Sequence, residues 1–243
     1  MGDKAATSEL EQPDPGHRVE DLREPEALAG LPDGQIKSPI ILSFVLDRAN
    51  LISLLGLASG VLAIFLALRG NFPAAIIALL WAVLMDWFDG LVARRSPGRS
   101  EAHKLVGARM DSLVDLVTSG VGPAILLLSV GNFNPWFYPG ALALIMAGVL
   151  RLAYFDAFGV DENGTYAGIT MDNSPLTVSG VFLLQGFLSQ NAFAAVLYGT
   201  IVVLACLHVA PFRTSKAGIG GYYVVTAYVV ILTAIYSYIL WTG

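Results

Sequence analysis

The sequence predicts an all-α, polytopic integral membrane helical bundle, and three observations carry that prediction. Hydrophobic residues make up 55% of the 243, and charged residues only 14%, against about 25% charged in an ordinary soluble domain. The apolar runs have roughly the 17–25 residues that a helix needs to cross the hydrocarbon core. Basic residues collect in every second loop, the asymmetry that orients membrane helices.

Residues 1–38 differ in kind from the rest. They carry nine acidic and four basic residues and few large apolar side chains. Such a segment buries too little apolar surface to offset its ordering entropy, so a disordered acidic cytoplasmic tail is expected. Its net charge of −5 equals that of the whole chain. Being acidic, with no apolar stretch before residue 39, it does not read as a signal peptide. Residues 39–243 are expected to form the membrane domain. Ile40 to Leu46 follows Pro39 and suits an interfacial helix.

Seven apolar segments come next: Leu51 to Leu68, Phe72 to Val92, Ala108 to Val130, Trp136 to Phe155, Pro175 to Ser189, Ala192 to Ala210, and Gly221 to Trp241. They predict a six-helix core with a seventh, C-terminal helix. The fifth segment is short enough to be tilted or re-entrant. With the N-terminus in the cytoplasm, Arg94, Arg95, Arg99, Lys104, Arg213 and Lys216 fall on the inner side and Arg69 on the outer. The single cysteine, Cys206, excludes an internal disulfide and reads as a small core residue.

Carboxylates stand out against this background. "MDWFDGLVARR" places Asp86 and Asp89 at the end of the second span, and "GARMDSLVDLV" places Asp111 and Asp115 at the start of the third. On a helix turning about 100° per residue, each pair shares one face. Consecutive antiparallel helices bring the two pairs to similar depth. Four clustered carboxylates would repel one another unless a cation intervened. Hard oxygen ligands suit Mg²⁺, Mn²⁺ or Ca²⁺, whose usual partner is substrate phosphate. Taken singly, each acid could instead cap a helix or pair with Arg94, Arg95 or Arg109. Gly90 and Gly107 lie on or beside the acid stripes and leave room for a ligand at the backbone, or for a neighbouring helix.

These residues carry a resemblance. "DWFDGLVAR" followed by "GARMDSLVD" resembles the signature of the CDP-alcohol phosphotransferases, D-x-x-D-G-x-x-A-R, a spacer, then G-x-x-x-D-x-x-x-D. Asp86, Asp89, Gly90, Ala93, Arg94, Gly107, Asp111 and Asp115 occupy all eight fixed positions. Twelve residues separate Arg94 from Gly107, where the family usually has about eight. The resemblance implies a six-helix core around a polar cavity open to the cytoplasm, in a homodimer, in a prokaryotic plasma membrane. It implies one or two ions of Mg²⁺ or Mn²⁺ on Asp86, Asp89, Asp111 and Asp115, with Asp115 also the general base. Gly90, Ala93, Arg94 and Gly107 would bind the cytidine nucleotide. The implied reaction is phosphatidyl transfer from a CDP-lipid such as CDP-diacylglycerol to an alcohol hydroxyl, releasing CMP, a step in phospholipid biosynthesis.

The acceptor is less sharply marked. "RANLISLLGLASG" is similar to the P-N-x-x-T-x-x-N opening of the phosphatidylserine synthase branch at Asn50 and Ser53, while Ala49 and Gly56 depart from it. "RLAYFDAFG" resembles that branch's "RLARFN", with Tyr154 in place of its second arginine. Arg151 is the candidate ligand for an acceptor anion, with a structural pair to Asp156 or a motif aspartate as the alternative. Tyr154 suits a neutral polyol or a quaternary amine. Asp172 and Asn173 could meet an acceptor ammonium or hydroxyls, but read first as helix caps. L-serine is therefore the expected acceptor, with inositol phosphate, glycerol phosphate and choline open. From another class, a cation-binding transporter also places acids within a bundle, but it would spread them through the midplane. A membrane prenyltransferase would need a second, separated aspartate-rich motif.

Overall fold

The computed structural model describes residues 40–96, 98–161, 164–215 and 218–242. The predicted acidic tail, and Lys216, lie outside these residues. A short 3₁₀ helix, Ile41–Phe44, stands where the interfacial helix is expected, and Ile40, Ile41 and Leu42 are exposed. Helix α1 (Arg48–Leu68) begins at Asp47, whose side chain accepts from the backbone N–H groups of Ala49 and Asn50. The buried side of α1 is a stripe of small residues: Ala49, Ser53, Gly56, Gly60, Ala63 and Ala67. That stripe lets α2 (Phe72–Arg95) pack along its length, as small residues do between membrane helices. A Cβ on Gly60 would sit 2.4 Å from Thr118 Cγ2, so the approach of the third span to α1 requires glycine there.

The third span, Glu101–Val130, is one continuous rod in three parts. Helix α3 (Glu101–Asp115) starts at the Ser100 cap. A π-helical turn covers Leu116–Val121, and α4 (Gly122–Val130) follows. Helix α5 (Tyr138–Phe158) returns to the first end and stops at Gly159, which has φ +62°. Two three-residue strands, β1 (Thr165–Ala167) and β2 (Arg213–Ser215), pair antiparallel at that end, with Tyr166 opposite Thr214.

Between them lie α6 (Asn173–Val181), which continues as a 3₁₀ turn through Leu184, and α7 (Gln190–His208). Helix α8 (Ile219–Thr242) closes the fold against α2. Ile76, Leu79, Leu126, Leu144, Phe193, Leu197 and Ile201 form the buried centre. Leu142, Met146 and Leu150 on α5, and Val224, Ile231 and Trp241 on α8, face outward, as side chains do where the surroundings are hydrocarbon. This is an integral membrane protein.

Among the described residues, six helices have the length and composition to cross a membrane. The fifth predicted segment is a shorter helix, Asn173–Leu184, whose rise of about 20 Å falls short of a roughly 30 Å core. It still carries the chain from one end to the other. Ser174 at its start meets His208 at the end of α7, 2.7 Å apart. At the far end the Gln190 side chain donates to the Val130 carbonyl at 2.8 Å. Helix α6 is short because residues 168–172 fold inward before it begins. Gly168 and Ile169 donate their N–H groups to the carbonyls of Phe212 and Leu207, so this irregular backbone is satisfied by protein. The expectation for Cys206 fails: it is exposed on α7.

Candidate active site

At the end of the bundle that holds β1 and β2, a cavity of about 420 Å³ opens between α1, α2, α3, α5 and α8. Its wall includes all four motif aspartates. Asp86 and Asp89 lie one turn apart near the end of α2, and Asp111 and Asp115 one turn apart on α3, as the spacing predicts. One carboxylate oxygen each from Asp86, Asp89 and Asp111 lies within 4.8 Å of the others. Three hard anionic donors at that separation suit an oxygen-loving divalent ion. Asp115 lines the same cavity outside this close group. Asp89 is buried and accepts a hydrogen bond from the Ser53 hydroxyl of α1.

Gly90, Ala93, Arg94 and Gly107 also line the cavity. A Cβ on Gly90 would meet only Arg94 Nη2, at 3.9 Å, so the backbone there is open to a ligand. Gly107 is constrained differently. A Cβ there would lie 2.8 Å from Asn50 Oδ1 and 3.0 Å from Arg99 Nη2. Those two atoms belong to a network that ties the α2–α3 loop to α1. Arg99 donates to Asp47 Oδ2 at 2.8 Å and to Asn50 Oδ1 at 3.0 Å, while Asn50 donates to the Phe44 carbonyl at 3.0 Å. Burial alone would raise the Asp47 carboxyl. The Arg99 hydrogen bond and charge, with the N–H groups of Asn50 and Ala49, outweigh it and hold it below its ordinary value.

Arg94 bonds to the Tyr222 hydroxyl and lies over that ring, 5.7 Å from its centre. Tyr222 packs edge-on against Trp87 at 4.8 Å, and Trp87 Nε1 donates to Asp172 Oδ2 at 2.9 Å. Helix α8 thus steadies the guanidinium at the cavity wall, a contribution invisible in the motif.

On α5, Arg151 is buried and lines the cavity, with its Nε donating to the Ile169 carbonyl at 2.8 Å. Its guanidinium lies over the rings of Phe155 and Tyr166, at 5.5 and 5.7 Å. The alternative of a pair with Asp156 is not seen: Asp156 accepts from Arg109 and Ser112. Tyr154 is misplaced by the sequence reading. Residues 151 and 155 face the cavity, whereas Tyr154 lies on the outer side of α5, half exposed and packed on Phe158 at 4.7 Å. Arg213 pairs with Asp161 and is absent from the cavity wall.

Sequence reasoning missed Trp87, Arg99, Tyr166 and Tyr222 as cavity residues, and ranked a ligand role for Asp172 below that of a cap. Trp87 lies inside the motif, where x positions carry no signal. Arg99 was counted only for orientation, and Tyr222 belongs to the last helix, 128 residues from Arg94.

The comparisons agree with this geometry. The CDP-alcohol phosphatidyltransferase family model matches residues 46–241, and the chain belongs to that family. It is 36% identical over 157 residues to archaetidylserine synthase of Methanothermobacter thermautotrophicus, covering 64% of this chain and 65% of that protein. It is 35% identical over 99 residues to CDP-diacylglycerol–serine O-phosphatidyltransferase of Bacillus subtilis, covering 40% and 54%. The protein of that same name from Methanocaldococcus jannaschii is 27% identical over 159 residues, covering 65% and 72%. The matches thus span 65% and 54% of the lengths of the first two relatives.

Proposed function

We propose that this protein transfers the lipid-bearing phosphoryl group of a CDP-activated lipid to the hydroxyl of L-serine, releasing CMP. The observation that carries the reading is one cavity with acids and guanidinium groups on its wall: Asp86, Asp89, Asp111 and Asp115 with Arg94 and Arg151. Acids alone would suit a cation. Acids beside fixed guanidinium groups suit a metal-bound phosphate ester together with an acidic acceptor. The serine transferases among its relatives support that choice of acceptor.

Asp86, Asp89 and Asp111 would hold Mg²⁺ or Mn²⁺, an ion that neutralises diphosphate charge when bound. Asp115 would receive the proton of the acceptor hydroxyl. As that proton leaves, the oxygen forms its bond to the lipid-bearing phosphorus. The bond from that phosphorus to the bridging oxygen breaks, and CMP departs. Arg94, braced by Tyr222, would orient a phosphate, and the open backbone at Gly90, with Ala93 and Gly107, would receive the nucleotide. Arg151 would bind the serine carboxylate.

The basic residues flanking the cavity support a cytoplasmic opening, and the family resemblance supports a homodimer. Purified protein given Mg²⁺ or Mn²⁺, L-serine, and CDP-diacylglycerol or its archaeal ether-lipid counterpart should release CMP. Absence of CMP release from folded protein with either donor, across a panel of alcohols, overturns the proposal.

A further inference from the structure

Asp172 does not behave as the helix cap that its position suggests. It directly precedes α6, yet its side chain makes no capping hydrogen bond. It lines the cavity instead. Oδ2 accepts from Trp87 Nε1, while Oδ1 is shielded from water and has no hydrogen-bond partner among the described residues. Only two other buried side-chain oxygens share that condition among the described residues, the hydroxyls of Ser129 and Thr233, and neither belongs to the cavity wall. A carboxylate oxygen without a donor is far more costly than an idle hydroxyl, because charge-assisted hydrogen bonds are the strong ones. A donor brought by the ligand would relieve it.

The surroundings narrow what that donor is. Arg151, on the same cavity wall, grips the carbonyl of Ile169, three residues before Asp172. A guanidinium and a carboxylate are therefore held close through one short stretch of backbone. That is complementary to a molecule bearing a carboxylate and an ammonium on one carbon. Glycerol phosphate or inositol phosphate would set an anion beside Asp172. Choline's ammonium has no N–H to donate.

Resting on the phosphatidyl-transfer reading above, we infer that Asp172 is the residue that selects an amino-acid acceptor, taking its ammonium on the unpartnered oxygen while Arg151 takes its carboxylate. Trp87 is then a positioning residue, fixing the carboxylate through Oδ2.

The test compares L-serine with 3-hydroxypropanoate, which keeps hydroxyl and carboxylate but lacks the amine. A site built to hydrogen-bond an N–H rejects the analogue without it strongly. The unaltered enzyme should prefer serine by at least about a hundredfold in kcat/KM. In Asp172→Asn that preference should shrink at least about tenfold, through a raised KM for serine, while metal-dependent CMP binding by calorimetry stays unchanged. An unaltered enzyme that uses both acceptors equally overturns the inference without any variant. So does Asp172→Asn retaining full selectivity. CMP release from no acceptor at all overturns the transfer reading and this inference with it.

Discussion

Single residues divide the chemistry of the site unequally. Asp115 lines the cavity but stands apart from the close trio of Asp86, Asp89 and Asp111. Asp115→Asn is therefore expected to abolish turnover, by a factor of at least about 10², while nucleotide still binds in the presence of Mg²⁺. Calorimetry with CMP, run beside the CMP-release assay, separates the two effects. Asp89→Asn should do the reverse first, weakening metal-dependent CMP binding, because it would remove one of the proposed metal ligands and leave Ser53 facing an amide. The aspartates were legible because their spacing alone puts each pair on one helical face. Arg151 was legible because a guanidinium inside an apolar run needs a partner. Tyr154 was misread, since three residues along a helix from Arg151 can fall to either side of a face, and the neighbouring helices decide which. Asp172 was read first as a cap, ahead of a contact to the acceptor, because its position before a helix is the stronger signal in sequence; Trp87, 85 residues away, decides otherwise.

At the scale of elements, the α2–α3 loop is held by a clamp built on the start of α1. Asp47 caps α1 and pairs with Arg99, both about 10% exposed in their side chains. Asp47→Ala should lower stability by about 1–2 kcal/mol from the lost cap and pair, seen as a lower thermal midpoint in detergent. The pH dependence has a definite sign. The Asp47 carboxyl lies below its ordinary value when folded, so its contribution is complete above about pH 4 and fades as pH falls through the lower folded value. The gap in midpoint between the unaltered protein and Asp47→Asn should accordingly narrow below about pH 4. A second element-level joint is Gly168, where φ is +68° and a Cβ would lie 2.4 Å from the His208 carbonyl oxygen. Gly168→Ala should cost at least about 1–3 kcal/mol and displace the Ile169 carbonyl that anchors Arg151. The same thermal measurement, paired with the KM for serine, checks both effects.

For the molecule as a whole, composition and run length were enough to foresee an all-helical membrane bundle. Six of the seven predicted segments have the length to span. The fifth was harder to read because its start is set by the inward fold of residues 168–172, whose hydrogen bonds go to the distant end of α7 and the loop after it. The short β1–β2 pairing was equally hidden, since three residues give no period to detect. The fold does keep Arg95 at the cavity end of α2, and the exposed Trp136 in the turn before α5 at the other. In a Cys206→Ser background, a membrane-impermeant thiol reagent applied to right-side-out vesicles should label Trp136→Cys. It should reach Arg95→Cys only after permeabilisation. Labelling of Arg95→Cys from outside would reverse the proposed orientation.

The π-helical turn at Leu116–Val121 gives the third span slack in length between its two halves. Its closing bond runs from the Gly122 N–H to the Val117 carbonyl, five residues back, so the rod holds one residue more than an α ladder would. Deleting one residue there would restore the ladder and leave the helix unbroken. Because a π turn spreads nearly the same rotation over one more residue, the halves would keep nearly the same bearing, with Asp111 and Asp115 still toward α2 and Ala124 and Leu127 still in the core. The segment works like a splice that absorbs a residue: removing Val117 should leave measurable CMP release, whereas removing Leu113, in the regular ladder between Asp111 and Asp115, should silence it as thoroughly as losing Asp115.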